Sequence, residues 1–154
     1  MGSDEAHLRV RLAAIEDHAH LQSVLDESTG MENATVFGVR TTELLDRYHV
    51  YLAFREERPI ACVMATQTKP LVLHCLHVVE DFRGRGYAGC VLNLAIRHLE
   101  ATVPPTTYWA TVEPALPSAG RRLRQLGFVE LSIPFQGMTL MMRPIGDKGA
   151  VAED

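Results

Sequence analysis

The chain has 154 residues, 47% of them hydrophobic and 22% charged, with a formal net charge of −4. That is enough for one globular domain with a real core, and the acidic balance excludes the basic excess of a nucleic-acid binder. No apolar stretch approaches membrane-spanning length, so no membrane partner is expected.

Three cysteines (Cys62, Cys75, Cys90) lie in apolar runs without CxxC spacing, and the N-terminus lacks a basic-then-apolar signal pattern. Both features predict a reducing, cytoplasmic setting. Residues 1–145 are expected to form a single domain, and the small and charged residues 146–154 a disordered tail.

In chain order, His7–Ala13 alternates as a first strand, and Ile15–Leu25 has helical spacing with Asp17 as its early cap. Ser28–Arg40 is polar and predicts a loop; Thr41–Arg47 predicts a short helix capped by Thr41 or Thr42. His49–Arg55 and Ile60–Gln67 form a hairpin about Glu56–Pro59, and Leu71–Val79 is a third strand. Tyr87–Ala101 places Ala88, Val91, Leu92, Ala95 and Leu99 on one helical stripe and ends before Pro104-Pro105. Thr107–Val112 follows as a strand, then a short helix capped by Ser118 and stopped by a left-handed Gly127. Phe128–Ile133 and Met138–Arg143 close the chain. This order predicts an α/β (α+β) fold, a mixed and mostly antiparallel sheet of six to seven strands flanked by helices.

Arg83-Gly-Arg-Gly-Tyr-Ala-Gly89 stands between the third strand and the long helix. Glycines let backbone approach a ligand, free N–H groups at a helix start point outward, and the dipole adds positive potential, so this is a phosphate site. Arginines 83 and 85 add cations suited to phosphate. Gly84-x-Gly86-x-x-Gly89 also satisfies a dinucleotide pattern, but the polar turn 80–83 and the hairpin-linked strands before it are the wrong context.

Leu76-x-Val78, then Arg83-x-x-Gly86-x-Ala88, a helix, a strand, a short helix and Leu126-Gly127-Phe128 resemble the GCN5-related N-acetyltransferase (GNAT) superfamily. The resemblance implies acetyl-CoA as co-substrate, with no metal. Its pyrophosphate would lie on the amides from Gly84 to Gly89, with Leu76, His77, Val78, Arg83, Arg85, Tyr87 and Ala88 also at the cofactor. It further implies that the Leu76–Val78 strand splays from the one holding Trp109, and that pantetheine lies in the gap as a peptide mimic. A backbone N–H near Val78 or Val79 would polarise the thioester carbonyl.

Acetyl transfer to an amine needs a base, and His74 and His77 are the candidates. In the related arylalkylamine acetyltransferases a histidine occupies the place of His74. Strand alternation predicts that the two histidines face opposite ways. The family's usual general-acid tyrosine is replaced by Leu123, and its usual asparagine by Glu113-Pro114. The acceptor implied is a primary amine of a small molecule or peptide, bound between Ser28–Arg47 and Phe135–Met138. The alternative is an acyl-CoA-binding module with weak or no turnover. Of Arg121, Arg122 and Arg124, the arginine-rich composition (thirteen of fifteen basic residues) predicts a solvated helix face rather than phosphate contacts. Met138–Met142 is apolar enough for a homodimer through the last strands.

Overall fold

The computed structural model describes residues 8–29, 35–36, 39–112, 116–135 and 137–144. A seven-stranded sheet runs in the order β1 (Leu8–Leu12), β4 (Tyr48–Arg55), β5 (Arg58–Thr66), β6 (Leu71–Val78), β7 (Tyr108–Val112), β9 (Met138–Arg143) and β8 (Val129–Phe135). Every neighbouring pair is antiparallel except β6–β7. The helices are α1 (His18–Thr29), α2 (Thr41–Arg47), α3 (Tyr87–Thr102) and α4 (Pro117–Gln125). The mixed sheet flanked by helices is the architecture expected. Within the stretch read as loop, α1 reaches Thr29, and β2 (Thr35–Val36) pairs with β3 (Val39–Arg40). The expected tail 146–154 lies outside the described residues, as does most of the expected acceptor wall before Val39.

Both faces of the sheet are covered, which is why β4 and β5 are buried almost without alternation. Tyr51 meets His98 of α3, its hydroxyl 2.7 Å from Nδ1. Phe54, three residues along the same strand, meets the His20 ring of α1 at 5.3 Å. An odd spacing in a regular strand points the two side chains opposite ways, so α1 and α3 lie on opposite faces.

The expected caps sit differently from the sequence reading. Asp17 sits inside the first turn, accepts a hydrogen bond from the Ala14 N–H at 2.9 Å and binds Arg11 through both oxygens at 2.9 Å. At α2 the first-turn acceptor is Glu43, which takes the Arg40 N–H at 3.3 Å, and not Thr41 or Thr42. α4 begins with Pro117 in its first turn, where the missing N–H costs nothing, and Ser118 lies inside it. Gly127 is the left-handed stop foreseen: φ is 96°, and the Phe128 N–H closes on the Leu123 carbonyl at 3.0 Å.

Candidate active site

The loop after β6 is shaped by two glycines in the left-handed region, Gly84 at φ 79° and Gly86 at φ 83°, the latter directly before α3. Such angles are costly for residues with a Cβ, and a Cβ at either position would meet nothing within 4 Å. The space in front of the loop is therefore open. The amides from Gly84 to Ala88 have no hydrogen-bond partner among the described residues, so five donors converge at a helix start.

Gly89 differs from its neighbours. Its N–H donates to Ser118 Oγ at 3.2 Å, and a Cβ there would stand 2.9 Å from the Ser118 carbonyl oxygen. Its amide is committed to the α3–α4 contact, which shortens the expected run of phosphate donors to Gly84–Ala88.

A cleft of about 170 Å³ opens against this loop. Of the residues expected at the cofactor, Val78, Arg83, Gly84, Gly86, Tyr87 and Ala88 line it. Arg85 lies outside the lining, its guanidinium 4.9 Å from the centre of the Phe82 ring, and Leu76 is buried in β6. The sequence reading missed Phe82, Leu116, Pro117 and Ser118 as lining, and Arg121 lines the cleft although its helix face read as solvated. Proximity of α4 to the loop, set by Gly89, brings them there. Arg83 is partly a structural cation, since its Nε donates to the Val78 carbonyl at 3.0 Å.

The sheet splays beside the cleft. β6 and β7 pair at Leu71↔Tyr108, Val72↔Trp109 and Leu73↔Ala110, after which β6 continues without a partner on that side among the described residues. The Val79 N–H donates to the Ile60 carbonyl at 2.9 Å, so it is not free to polarise a ligand. By antiparallel alternation the neighbouring Val78 N–H points away from β5, into the splay. Of the two amides expected for the carbonyl, only Val78 is available.

His74 and His77 lie on the same face, contrary to simple alternation. Their partners across the ladder are Met64 and Cys62, two residues apart on β5 and therefore on one face. A bulge between them absorbs one residue, with Cys75 at φ 54°, and this resets the alternation. Cys62 steadies the bulge by donating its thiol to the Cys75 carbonyl at 3.7 Å. The shared face is the α1 side, because Cys62 pairs with Leu52, which alternates with Phe54. His74 Nδ1 is 3.2 Å from Cys75 Sγ, and its ring lies edge-on to Tyr48 at 5.0 Å. Tyr48 is a further neighbour that the sequence did not nominate.

Burial lowers the pKa of His74, and burial together with the charge of Arg83 brings His77 down to about 4. Both imidazoles are neutral at pH 7. His77 Nδ1 is buried without a hydrogen-bond partner. Burial raises the thiol of Cys75 to about 12 and that of Cys62 as well, so neither is a thiolate nucleophile. Leu123, at the place of the usual general acid, is fully buried. No group of three or more metal-ligating side chains occurs, and no helix is long and apolar enough to cross a membrane, among the described residues.

A loop with two left-handed glycines and unbonded amides at a helix start, beside a splayed parallel strand pair, has the geometry and polarity to receive an anionic ligand with an extended arm. Residues 13–128 match the acetyltransferase (GNAT) family, and the chain belongs to that family. Solved structures with the same fold include a PaiA N-acetyltransferase from Thermoplasma acidophilum in complex with coenzyme A, at 14% identity and a TM-score of 0.67, covering 89% of this chain and 98% of that one. An acetyltransferase from Thermus thermophilus shares 22% identity at a TM-score of 0.61, covering 89% and 96%. The ribosomal-protein-S18-alanine N-acetyltransferase from Escherichia coli shares 16% at 0.65, covering 90% and 94%. No curated protein matches the chain.

Proposed function

We propose that this protein transfers an acetyl group from acetyl-CoA directly to a primary amine of a small molecule or peptide within a ternary complex. The observation that carries the reading is the loop Gly84–Ala88, with its free amides and left-handed glycines, at the mouth of the β6–β7 splay. The pyrophosphate would take the loop amides, and the pantetheine amides the unpaired edge of β6.

The amine nitrogen attacks the thioester carbon, whose oxygen accepts the Val78 N–H, and the C–S bond breaks. His74 takes the amine proton, directly or through one water. It suits this better than His77, whose pKa near 4 makes it a poor proton carrier and a better hydrogen-bond acceptor. With Leu123 buried, the sulfur leaves as thiolate and is protonated by solvent, which its ordinary pKa of about 8.5 permits. A cytoplasmic setting fits the three free cysteines. The homodimer expected through β8 and β9 is consistent with exposed Val129 and Ile133 on the outermost strand, and light scattering decides it.

Gly86→Glu places a carboxylate and a strained φ in the anion loop. Calorimetry is expected to show acetyl-CoA binding abolished with the circular dichroism spectrum intact; unchanged affinity removes the reading. For the base, His74→Ala is expected to slow transfer by about 10²–10⁴-fold and to remove the limb of the pH–rate profile that it controls. A profile matching wild type eliminates His74. The buried Leu123 favours one other reading, an acyl-CoA-binding module without turnover. Sustained CoA release with any amine of a broad panel excludes it.

A further inference from the structure

The three arginines of α4 are not equivalent. Arg124 pairs with Glu130 at 2.8 Å, and the Cβ of Arg122 is packed at the α3–α4 contact, 3.2 Å from where a Gly89 Cβ would be. Arg121 is exposed, lines the cleft, and makes no ion pair among the described residues. Among the described residues, the charged side chains lining the cleft are Arg83 and Arg121, with no carboxylate. Arg83 already gives its Nε to the Val78 carbonyl. Among the described residues the charge on the cleft wall is therefore positive, and Arg121 is the member of it that shares the cleft with the glycine loop without a hydrogen bond to the backbone there.

We infer that Arg121 recognises the ribose 3′-phosphate of coenzyme A and so sets selectivity for CoA over its dephospho form; this rests on the cofactor reading above. If the pyrophosphate occupies the loop amides and the arm runs inward between β6 and β7, the adenosine half must lie on the outer side of the loop. The start of α4 borders the same cleft as the loop, through Pro117, Ser118 and Arg121. The 3′-phosphate is a second anionic group, and the loop amides are saturated by the first. Arg121 has no carboxylate partner among the described residues, so its guanidinium can take such a group bidentately without giving up an ion pair seen there.

The experiment titrates wild type, Arg121→Gln, Arg121→Lys and Arg85→Gln with CoA and with dephospho-CoA at fixed ionic strength. Wild type is expected to prefer CoA by about tenfold, the size of one charge-assisted contact at a wet site. Arg121→Gln should lose that preference while keeping wild-type affinity for dephospho-CoA, and Arg121→Lys should restore part of it. Arg85→Gln should leave the preference in place. Equal weakening of both ligands by Arg121→Gln, or an undiminished preference for CoA, overturns the inference while the cofactor reading stands. Wild type binding neither ligand overturns both. Unchanged circular dichroism of Arg121→Gln separates lost recognition from lost folding.

Discussion

His77 and Asp17 illustrate how single side chains tie this fold to pH. His77 has a folded pKa of about 4 against an unfolded value near 6.5, because burial and Arg83 disfavour its charged form. The unfolded chain therefore binds more protons between those values. The stability that His77 contributes is complete above pH 6.5 and is lost progressively as pH falls toward 4. His77→Gln should flatten this decline by roughly 1–3 kcal/mol, read as urea midpoints at pH 7 and pH 5. An unchanged decline would show that His77 is not the responsible group. His74 and His49, lowered by burial, act in the same direction. Asp17, held near 2 chiefly by Arg11, acts in a separate window, its contribution being lost only as pH falls from about 4 toward 2. The histidines were legible as candidates, since a polar ring inside an apolar strand stands out. Their shared face was not. It depends on the bulge at Cys75, which arises from a register mismatch between β5 and β6 and is visible in neither segment alone.

At the scale of elements, the third glycine of the loop changes its meaning. In sequence, Gly89 completes a phosphate-binding pattern. In the structure it is a point of close approach between α3 and α4. Gly89→Val should cost about 1–3 kcal/mol in denaturant unfolding, because its Cβ would press on the Ser118 backbone and α4 would have to move. Gly120→Ala within α4 is the opposite case. Its Cβ meets only the tip of Arg124 at 3.7 Å, an ordinary contact, so better helix propensity should add up to about 1 kcal/mol. Equal effects of the two substitutions would refute this account. The helix ends were legible where local chemistry decides them, as at Gly127. At Asp17 the cap is real but acts from within the first turn and also holds Arg11, and at Ser118 the Gly89 N–H recruits the side chain instead.

For the whole molecule, the order of the main strands and helices followed from periodicity and turn residues, because each element buries an apolar face of its own period. The sheet order did not follow from periodicity. β9 lies between β7 and β8, and β7 joins β6 in parallel through α3, both long-range choices. Two-sided burial of the central strands also explains why their alternation is weak in sequence: β5 is apolar on both faces because α1 and α3 both cover it.

The parallel seam between β6 and β7 is only three residue pairs long. It is where an otherwise antiparallel sheet divides into β1-β4-β5-β6 on one side and β7-β9-β8 on the other. With so few rungs across that line, much of the cohesion between the halves passes through the close contact of α3 with α4, at a glycine no larger residue can replace without displacement. The gap that admits a ligand and the helix contact that holds the halves together are thus two sides of one arrangement: the sheet gives up hydrogen bonds at the seam, and helix packing supplies the continuity.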